Sequence, residues 1–247
     1  HKPELSGKED FIQAVRESGC IGLGGAGFPT FIKLNYREIE KVHSLVINGA
    51  ECEPYITSDY RACLEDTDDI VRGIRAVRKY LGIQKVYIGI EDNKPKAQQL
   101  LDKAFRPEEN VTVVRLKTLY PQGAEKSIIY ATTGIVVDAG ALPADCGVIV
   151  MNISTVGFLG RYLEDGMPLV TRRITVDGDC VANPRNLRVP IGVSIQDVLE
   201  YCGVQEGDYE KVLMGGPMMG LAMDSVQSPI VKNHHAITLL SPTAAKL

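Results

Sequence analysis

Apolar and polar positions along the first two thirds of the chain predict strands and helices in turn. Short apolar runs predict buried strands at 44–51, 85–91 and 110–117. Helical spacing predicts helices before, between and after these strands, over 8–20, 59–81, 94–105, 123–133 and 154–165. Alternating strands and helices indicate an α/β fold with a mostly parallel sheet that is covered on both faces.

The pattern changes near residue 166. Residues 171–184 have the alternation and turn residues of a hairpin, and 186–192 read as another strand. A short helix with Ser194 as its N-cap and a strand that enters the tight loop "GGPMMG" follow. We therefore predict an α/β domain over 1–167, a small α+β domain of β-grasp type over 168–230 and a C-terminal segment over 231–247.

Composition restricts the class of protein. The 247 residues are 45% apolar and 23% charged with a net charge of −4, which is typical of a soluble globular protein and gives no basic surface for nucleic acid. The most apolar stretch, 134–160, is interrupted by Asp138, Asp145 and Asn152, so we expect no membrane span. The six cysteines lack metal or iron–sulfur spacing, so no metal site is expected, and their number without a secretion signal suits a reducing cytosol.

The segment "IGLGGAGFPTFIKL" (21–34) is the first candidate site. Its four glycines are Gly22, Gly24, Gly25 and Gly27. They bare the backbone for a flat ring or a phosphate, Phe28 could stack on a ring, and Lys33 could pair with an anion. The glycines match a dinucleotide-binding pattern, but a predicted helix precedes them where that pattern requires a strand. We favour another phosphate- or ring-binding loop, with a structural turn as the alternative.

Two further segments carry polar residues next to predicted elements. "NGAECEP" (48–54) places Asn48, Glu51 and Glu53 at the end of a strand, where open α/β sheets bind ligands. A solvated acidic turn is the alternative. "LYPQGAEKS" (119–127) places Tyr120 and Glu125 before a predicted helix, whose N-terminus suits an anion.

Taken in this order, the motifs resemble the FMN- and NADH-binding subunit of respiratory complex I and, more closely, the RnfC family, which belongs to the Rnf ion-translocating electron-transport complex. The segments that carry the resemblance are "GLGGAGFPTFIKL", "INGAECEPYITSDYR", "YPQGAEKSI", "MNISTV" and "GGPMMG". The last follows a module that resembles the soluble-ligand-binding β-grasp (SLBB) domain. The resemblance covers nearly the whole chain and implies a Rossmann-like FMN/NADH-binding domain followed by an SLBB-type domain.

The resemblance also implies roles for residues. FMN would lie on the glycine loop (Gly22, Gly24, Gly25, Gly27) with Lys33, and Asn48, Glu51 and Asn152 would contact its polar edge and phosphate. NADH would have Phe28, Glu53 and Glu125 as neighbours, and Tyr120 is a further expected cofactor-binding residue. No side chain is assigned as a general acid or base, because the flavin itself carries the hydride chemistry.

The implied function is hydride transfer from NADH to FMN, with electrons passed to iron–sulfur clusters and membrane partners in an NADH:ferredoxin oxidoreductase. The resemblance places two 4Fe–4S clusters in a C-terminal region that this chain lacks, so we interpret it as a soluble core fragment. The implied partners are NADH, membrane subunits and, indirectly, ferredoxin, at the cytoplasmic face of the plasma membrane.

The chain departs from the complex I pattern at four positions, which are Leu23, Ala50, Ala124 and Met151. These residues replace polar ones, an arginine in the case of Leu23, so weaker FMN binding is expected. A cobalamin reductase-like flavoprotein and a non-catalytic ligand-binding or docking module are the alternatives.

Overall fold

A computed structural model describes residues 1–246. The chain forms two compact units. The first comprises His1–Gly22, Phe28–Cys52 and Asp59–Leu169, and the second comprises Leu23–Gly27, Glu53–Ser58 and the described residues from Val170 onward. Two short segments from the N-terminal part of the sequence therefore belong to the second unit.

The first unit is built on a four-stranded parallel sheet. Its strands are β1 (Ser44–Gly49), β2 (Lys85–Glu91), β3 (Val111–Leu116) and β4 (Val148–Asn152), in the spatial order β3-β2-β1-β4. The sequence predicts the first three. The fourth is missing from the prediction because it lies in the long apolar stretch after residue 134, where no alternation marks a strand.

Seven helices surround this sheet in the described chain. They are α1 (Lys8–Glu17), α2 (Thr30–Leu34), α3 (Ser58–Glu65), α4 (Thr67–Leu81), α5 (Pro95–Phe105), α6 (Glu125–Thr133) and α7 (Ile153–Asp165). Short 3-10 turns occupy Ile39–Lys41 and Pro143–Cys146. Within residues 1–246, none of the helices combines the length and apolar character that crossing a membrane requires.

The single helix predicted over 59–81 is wrong: two helices, α3 and α4, meet at Asp66. The Asp66 backbone leaves the helical region, and the Thr67 hydroxyl donates a 2.6 Å hydrogen bond to the Cys63 carbonyl. Side chains of this kind compete with the helical backbone for hydrogen bonds, which favours a break. The predicted end at Gly82 is confirmed, since this residue adopts the left-handed conformation after α4.

Helices α4 and α7 pack closely through glycines. A methyl group at Gly73 would lie 1.9 Å from the Val156 carbonyl oxygen, and one at Gly160 would lie 1.9 Å from the Asp69 carbonyl oxygen. The backbones of the two helices are therefore in direct contact, and no larger side chain fits between them.

In its described residues, the second unit holds a five-stranded sheet, one α-helix and a short 3-10 turn at Ala244–Lys246. The elements are β5 (Thr171–Gly178), β6 (Arg185–Pro190), α8 (Ile195–Tyr201), β7 (Lys211–Met214), β8 (Leu221–Ala222) and β9 (Ala236–Leu240), with the strand order β6-β5-β9-β7-β8. Strands β5 and β9 pair in parallel, and the other neighbours are antiparallel. The predicted N-cap is confirmed: the Ser194 hydroxyl accepts the Asp197 N–H at 3.0 Å.

Two predicted boundaries in this unit differ from the structure. The hairpin predicted within 171–184 has β6 as its second strand, so the hairpin and the separately predicted strand at 186–192 are one feature. The predicted separate segment 231–247 contains β9, which lies between β5 and β7. Because β9 is an apolar run without alternation, its place in the sheet depends on pairings that sequence spacing does not reveal.

We expect the substitution Gly160→Ala to lower the free energy of unfolding by about 3 kcal/mol, because the helices must separate to admit the methyl group. Chemical denaturation measures the change. Gly7→Ala is the matched control, since no atom lies within 4 Å of its added methyl group. Equal stability of Gly160→Ala and the unsubstituted protein would contradict the close contact.

Candidate functional site

The carboxyl edge of the first sheet contains a topological switch point. From β1 the chain continues to β2 and β3 on one side, whereas β4 pairs with β1 on the other side. Open α/β sheets bind ligands in the crevice outside such a point. Asn48 and Asn152 are register partners at the ends of β1 and β4, so both predicted site residues lie at this crevice.

Both asparagines are held by hydrogen bonds. The Asn48 Nδ2 donates to the Gly123 carbonyl oxygen at 2.8 Å, and its Oδ1 accepts the Ala50 N–H at 3.1 Å. The Asn152 Oδ1 caps α7 by accepting the Thr155 N–H at 3.0 Å. Each side-chain amide has two N–H donors, so each asparagine is fixed in orientation and can still donate a further bond.

Lys33 and Glu125, both predicted site residues, bind each other. The Lys33 Nζ lies 2.9 Å from Glu125 Oε1 and donates to the Val150 carbonyl oxygen at 3.1 Å. Lys33 is 34% and Glu125 44% exposed. An ion pair this exposed stabilises a fold little, so a bound anion can replace Glu125 as the partner of Lys33 at low cost.

Two predicted aromatic residues are exposed. Phe28 is 48% and Tyr120 44% accessible to solvent. Gly22, also in the first unit, donates its N–H to the Phe28 carbonyl oxygen at 2.8 Å, which fixes the backbone at this ring. Both rings therefore offer apolar faces on which a planar ligand can stack.

Glu51 has a role that the sequence analysis does not predict. Its Oε1 accepts the Asp59 N–H at 2.7 Å and its Oε2 accepts the Tyr60 N–H at 3.1 Å, so the carboxyl group caps the first turn of α3. Burial, followed by the nearby charge of Asp59, raises the pKa of Glu51 to about 8. Contact with the polar edge of the flavin stays a prediction.

Sequence reasoning missed three charged residues near this carboxyl group. Asp59 accepts hydrogen bonds from Asn152 Nδ2 at 2.7 Å and from the Ser154 hydroxyl. Glu91, the last residue of β2, is fully buried and pairs with the buried Lys94. The acid at the end of a predicted strand, three residues before a lysine, is the signal that could have revealed the pair.

The glycine loop Leu23–Gly27 belongs to the second unit. The Leu23 side chain is buried, and its carbonyl oxygen accepts a 2.9 Å hydrogen bond from the Arg172 guanidinium. Gly25 has φ +107°, and a methyl group there would meet the His235 ring at 3.0 Å. Gly24 is exposed, and Gly27 also has positive φ. The predicted bare backbone is thus present.

Glu53, a predicted neighbour of NADH, is engaged within the second unit. Its Oε2 accepts the Met218 N–H at 2.9 Å, and its Oε1 accepts the Met219 N–H at 2.8 Å. Gly216 lies directly beside it, because a methyl group there would overlap the present position of the Glu53 carboxylate. The "GGPMMG" loop therefore surrounds Glu53, and a contact of this side chain with NADH stays a prediction.

A parallel sheet with polar residues at its switch point is typical of α/β proteins that bind ligands at the carboxyl edge of the sheet, and here a small α+β unit follows it along the chain. Residues 15–159 match the model of the Nuo51 FMN-binding domain, and residues 173–222 match the SLBB domain. The chain belongs to the family of the Nuo51 FMN-binding domain. The predicted fold class is therefore confirmed.

Curated relatives confirm the predicted resemblance to the RnfC family. The C subunit of the proton-translocating ferredoxin:NAD+ oxidoreductase complex of Clostridium ljungdahlii is 44% identical over 234 residues, which cover 95% of this chain and 51% of the relative. Its counterpart in the Na+-translocating complex of Acetobacterium woodii is 42% identical over 233 residues, covering 94% and 53%. The chain thus spans about half the length of these relatives.

A solved structure supports the fold. A chain in the crystal structure of an air-oxidised NAD+-reducing NiFe hydrogenase superposes with a TM-score of 0.79 at 20% identity. The superposition covers 96% of this chain and 47% of that chain.

The raised pKa of Glu51 predicts a dependence of stability on pH. The folded protein retains a proton here that the unfolded chain releases near pH 4.5. The stability contributed by this group is thus fully present below pH 4.5 and is lost as the pH rises through about 8. We expect Glu51→Gln to remove this slope, measured as the unfolding free energy between about pH 5 and 9. The exposed Glu109→Gln should leave it intact, and an unchanged slope in Glu51→Gln would refute the assignment.

The contact between Glu53 and the "GGPMMG" loop predicts protection of two amides. We expect Glu53→Gln to speed hydrogen exchange at Met218 and Met219 about tenfold, because the amide group keeps only one acceptor oxygen. Exchange measured by mass spectrometry on peptides across 215–220 tests this. The exposed Glu206→Gln is the control, and equal exchange in the two variants would rule out the contact.

Proposed function

We propose that the chain binds FMN at the carboxyl edge of the first sheet and oxidises NADH there as part of an NADH:ferredoxin oxidoreductase. The observation that carries the proposal is the pair of register-matched asparagines at the switch point, in a chain of the Nuo51 FMN-binding family. The names of the curated relatives support the choice of NAD+ and ferredoxin as redox partners.

The residues at this edge fit FMN. Lys33 is a cation whose present partner is exposed and exchangeable, as a phosphate or an anionic ring requires. Asn48 and Asn152 each retain a donor for phosphate or ring heteroatoms. The exposed rings of Phe28 and Tyr120 provide stacking surfaces for planar groups.

The protein's own residues bind the ligands and orient them. Lys33 exchanges Glu125 for the anionic ligand, and the released Glu125 carboxylate can accept hydrogen bonds from ribose hydroxyls. Asn48, fixed by Gly123 and Ala50, keeps a second amide N–H for a ligand. A bound flavin would supply hydride acceptance from nicotinamide and release of single electrons.

Glu51 acts in this proposal by holding a proton. Its carboxyl group is neutral at neutral pH because burial and the charge of Asp59 raise the pKa of Glu51 to about 8. It therefore caps α3 without adding a second negative charge beside Asp59. An anionic ligand at this edge encounters less repulsion than the number of acidic residues in the sequence indicates.

The remaining assignments extend to the whole complex. Backbone amides of Gly22, Gly24, Gly25 and Gly27 serve FMN, and Glu53 serves NADH. Two 4Fe–4S clusters belong to parts of the full-length protein that this chain does not cover, and electrons reach ferredoxin through membrane subunits. The protein is peripheral to the cytoplasmic face of the plasma membrane.

The test is a titration of the protein with FMN, in which quenching of the flavin fluorescence reports binding. We expect Lys33→Gln to weaken FMN binding about tenfold, the loss typical of one charge-assisted hydrogen bond. The exposed Lys96→Gln, which makes the same change of charge, is the control. Equal affinity of the two variants would remove Lys33 from the site.

Anaerobic addition of NADH to the FMN-loaded protein tests the reaction. Bleaching of the flavin absorbance is the expected result, and Glu125→Gln should raise the NADH concentration needed for half-maximal bleaching. FMN binding without bleaching would overturn the choice of NADH as donor. Failure of the unsubstituted protein to bind FMN would overturn the proposal and favour a docking module.

A further inference from the structure

We propose that Arg172 is a positioning residue for the glycine loop, and that its guanidinium fixes the Leu23–Gly24 peptide so that the Gly24 N–H is presented to FMN. The choice of FMN as the ligand rests on the proposed function. The hydrogen bond that fixes the loop does not depend on the identity of the ligand, and its effect can be measured on the protein without ligand.

Arg172, a residue of β5, donates hydrogen bonds both to the loop and to the segment just before β9. Its Nη2 donates to the Leu23 carbonyl oxygen at 2.9 Å, and its Nε donates to the His234 carbonyl oxygen at 2.9 Å. The side chain is only 3% exposed. The planar guanidinium presents these donors in a rigid fork, so one side chain fixes two backbone segments relative to β5.

The bond to Leu23 determines where the next amide points. In a planar trans peptide the carbonyl and the N–H point in opposite directions. With the Leu23 oxygen turned towards the buried guanidinium, the Gly24 N–H is directed away from it. Gly24 is an exposed residue, so this donor faces the accessible side of the loop.

The loop needs such a constraint because its own sequence provides little. Gly24, Gly25 and Gly27 have no side chains to restrict the backbone, and glycine loses more conformational freedom than any other residue when it is ordered. The buried Leu23 side chain anchors the start of the loop, and the His235 ring packs against Gly25. Only Arg172 among these three contacts fixes a peptide plane through a charge-assisted hydrogen bond.

The experiment compares Arg172→Met and Arg172→Lys with Arg185→Met, an exposed control on β6 with the same loss of charge. Three quantities are measured: hydrogen exchange of amides in 22–28 without ligand, the dissociation constant for FMN, and the thermal midpoint. We expect Arg172→Met to speed loop exchange and weaken FMN binding about tenfold each. Exchange in β9 should be unchanged.

Arg172→Lys keeps the charge but lacks the fork, so both effects should be intermediate while the thermal midpoint stays within a few degrees of the original. This variant decides the question if Arg172→Met does not fold. Loop exchange in Arg172→Lys equal to that of Arg185→Met would overturn the inference.

The two proposals fail in different ways. If the unsubstituted protein binds FMN and both Arg172 variants bind it equally well, the positioning role is wrong and the proposed function stands. If the unsubstituted protein binds no FMN, the proposed function fails together with the role of Gly24, and loop exchange still shows whether Arg172 holds the loop.

Discussion

The parallel pairing of β1 with β2 on one side and β4 on the other is the constraint on which the first unit depends. The β1 residues Leu45, Val46 and Ile47 are fully buried, so the strand has no polar side chain to offer along this run until it reaches Asn48. The register then places Asn152 of β4 beside Asn48. If the register shifted by one residue, the two asparagines would no longer be neighbours, and the crevice would lack this polar pair.

Two ion pairs at this edge differ in their exposure to solvent. Glu91 and Lys94 are buried together, and removing either would leave a buried charge without its counterion. Lys33 and Glu125 are exposed, so separating them costs little. The buried pair therefore fixes the end of β2, whereas the exposed pair can exchange partners. This difference distinguishes the groups that shape the crevice from those available to a ligand.

Local patterns could be predicted from the sequence, and the hydrogen-bond partners of the acidic side chains could not. The strand at 85–91, the helix end at Gly82 and the cap at Ser194 follow from periodicity and from residues beside them. The roles of Glu51 and Glu53 depend on amides 8 and 165 residues away, respectively. Spacing does not reveal these backbone partners, so the sequence analysis assigned both carboxylates to a ligand alone. Their contacts with FMN and NADH stay predictions.

At Leu23 the sequence shows the change of side chain but not the contact that the backbone makes, and weaker FMN binding stays a prediction. Replacing an arginine by leucine in the glycine loop predicts the loss of a cation and weaker FMN binding. In the structure the leucine side chain is buried, and a guanidinium reaches the same residue from β5 through the Leu23 carbonyl. An arginine is thus still present in the neighbourhood of the loop, because a residue 149 positions later supplies one. The Arg172 guanidinium is buried and binds the backbone of the loop from outside it. In the complex I pattern, by contrast, the arginine is a residue of the loop itself.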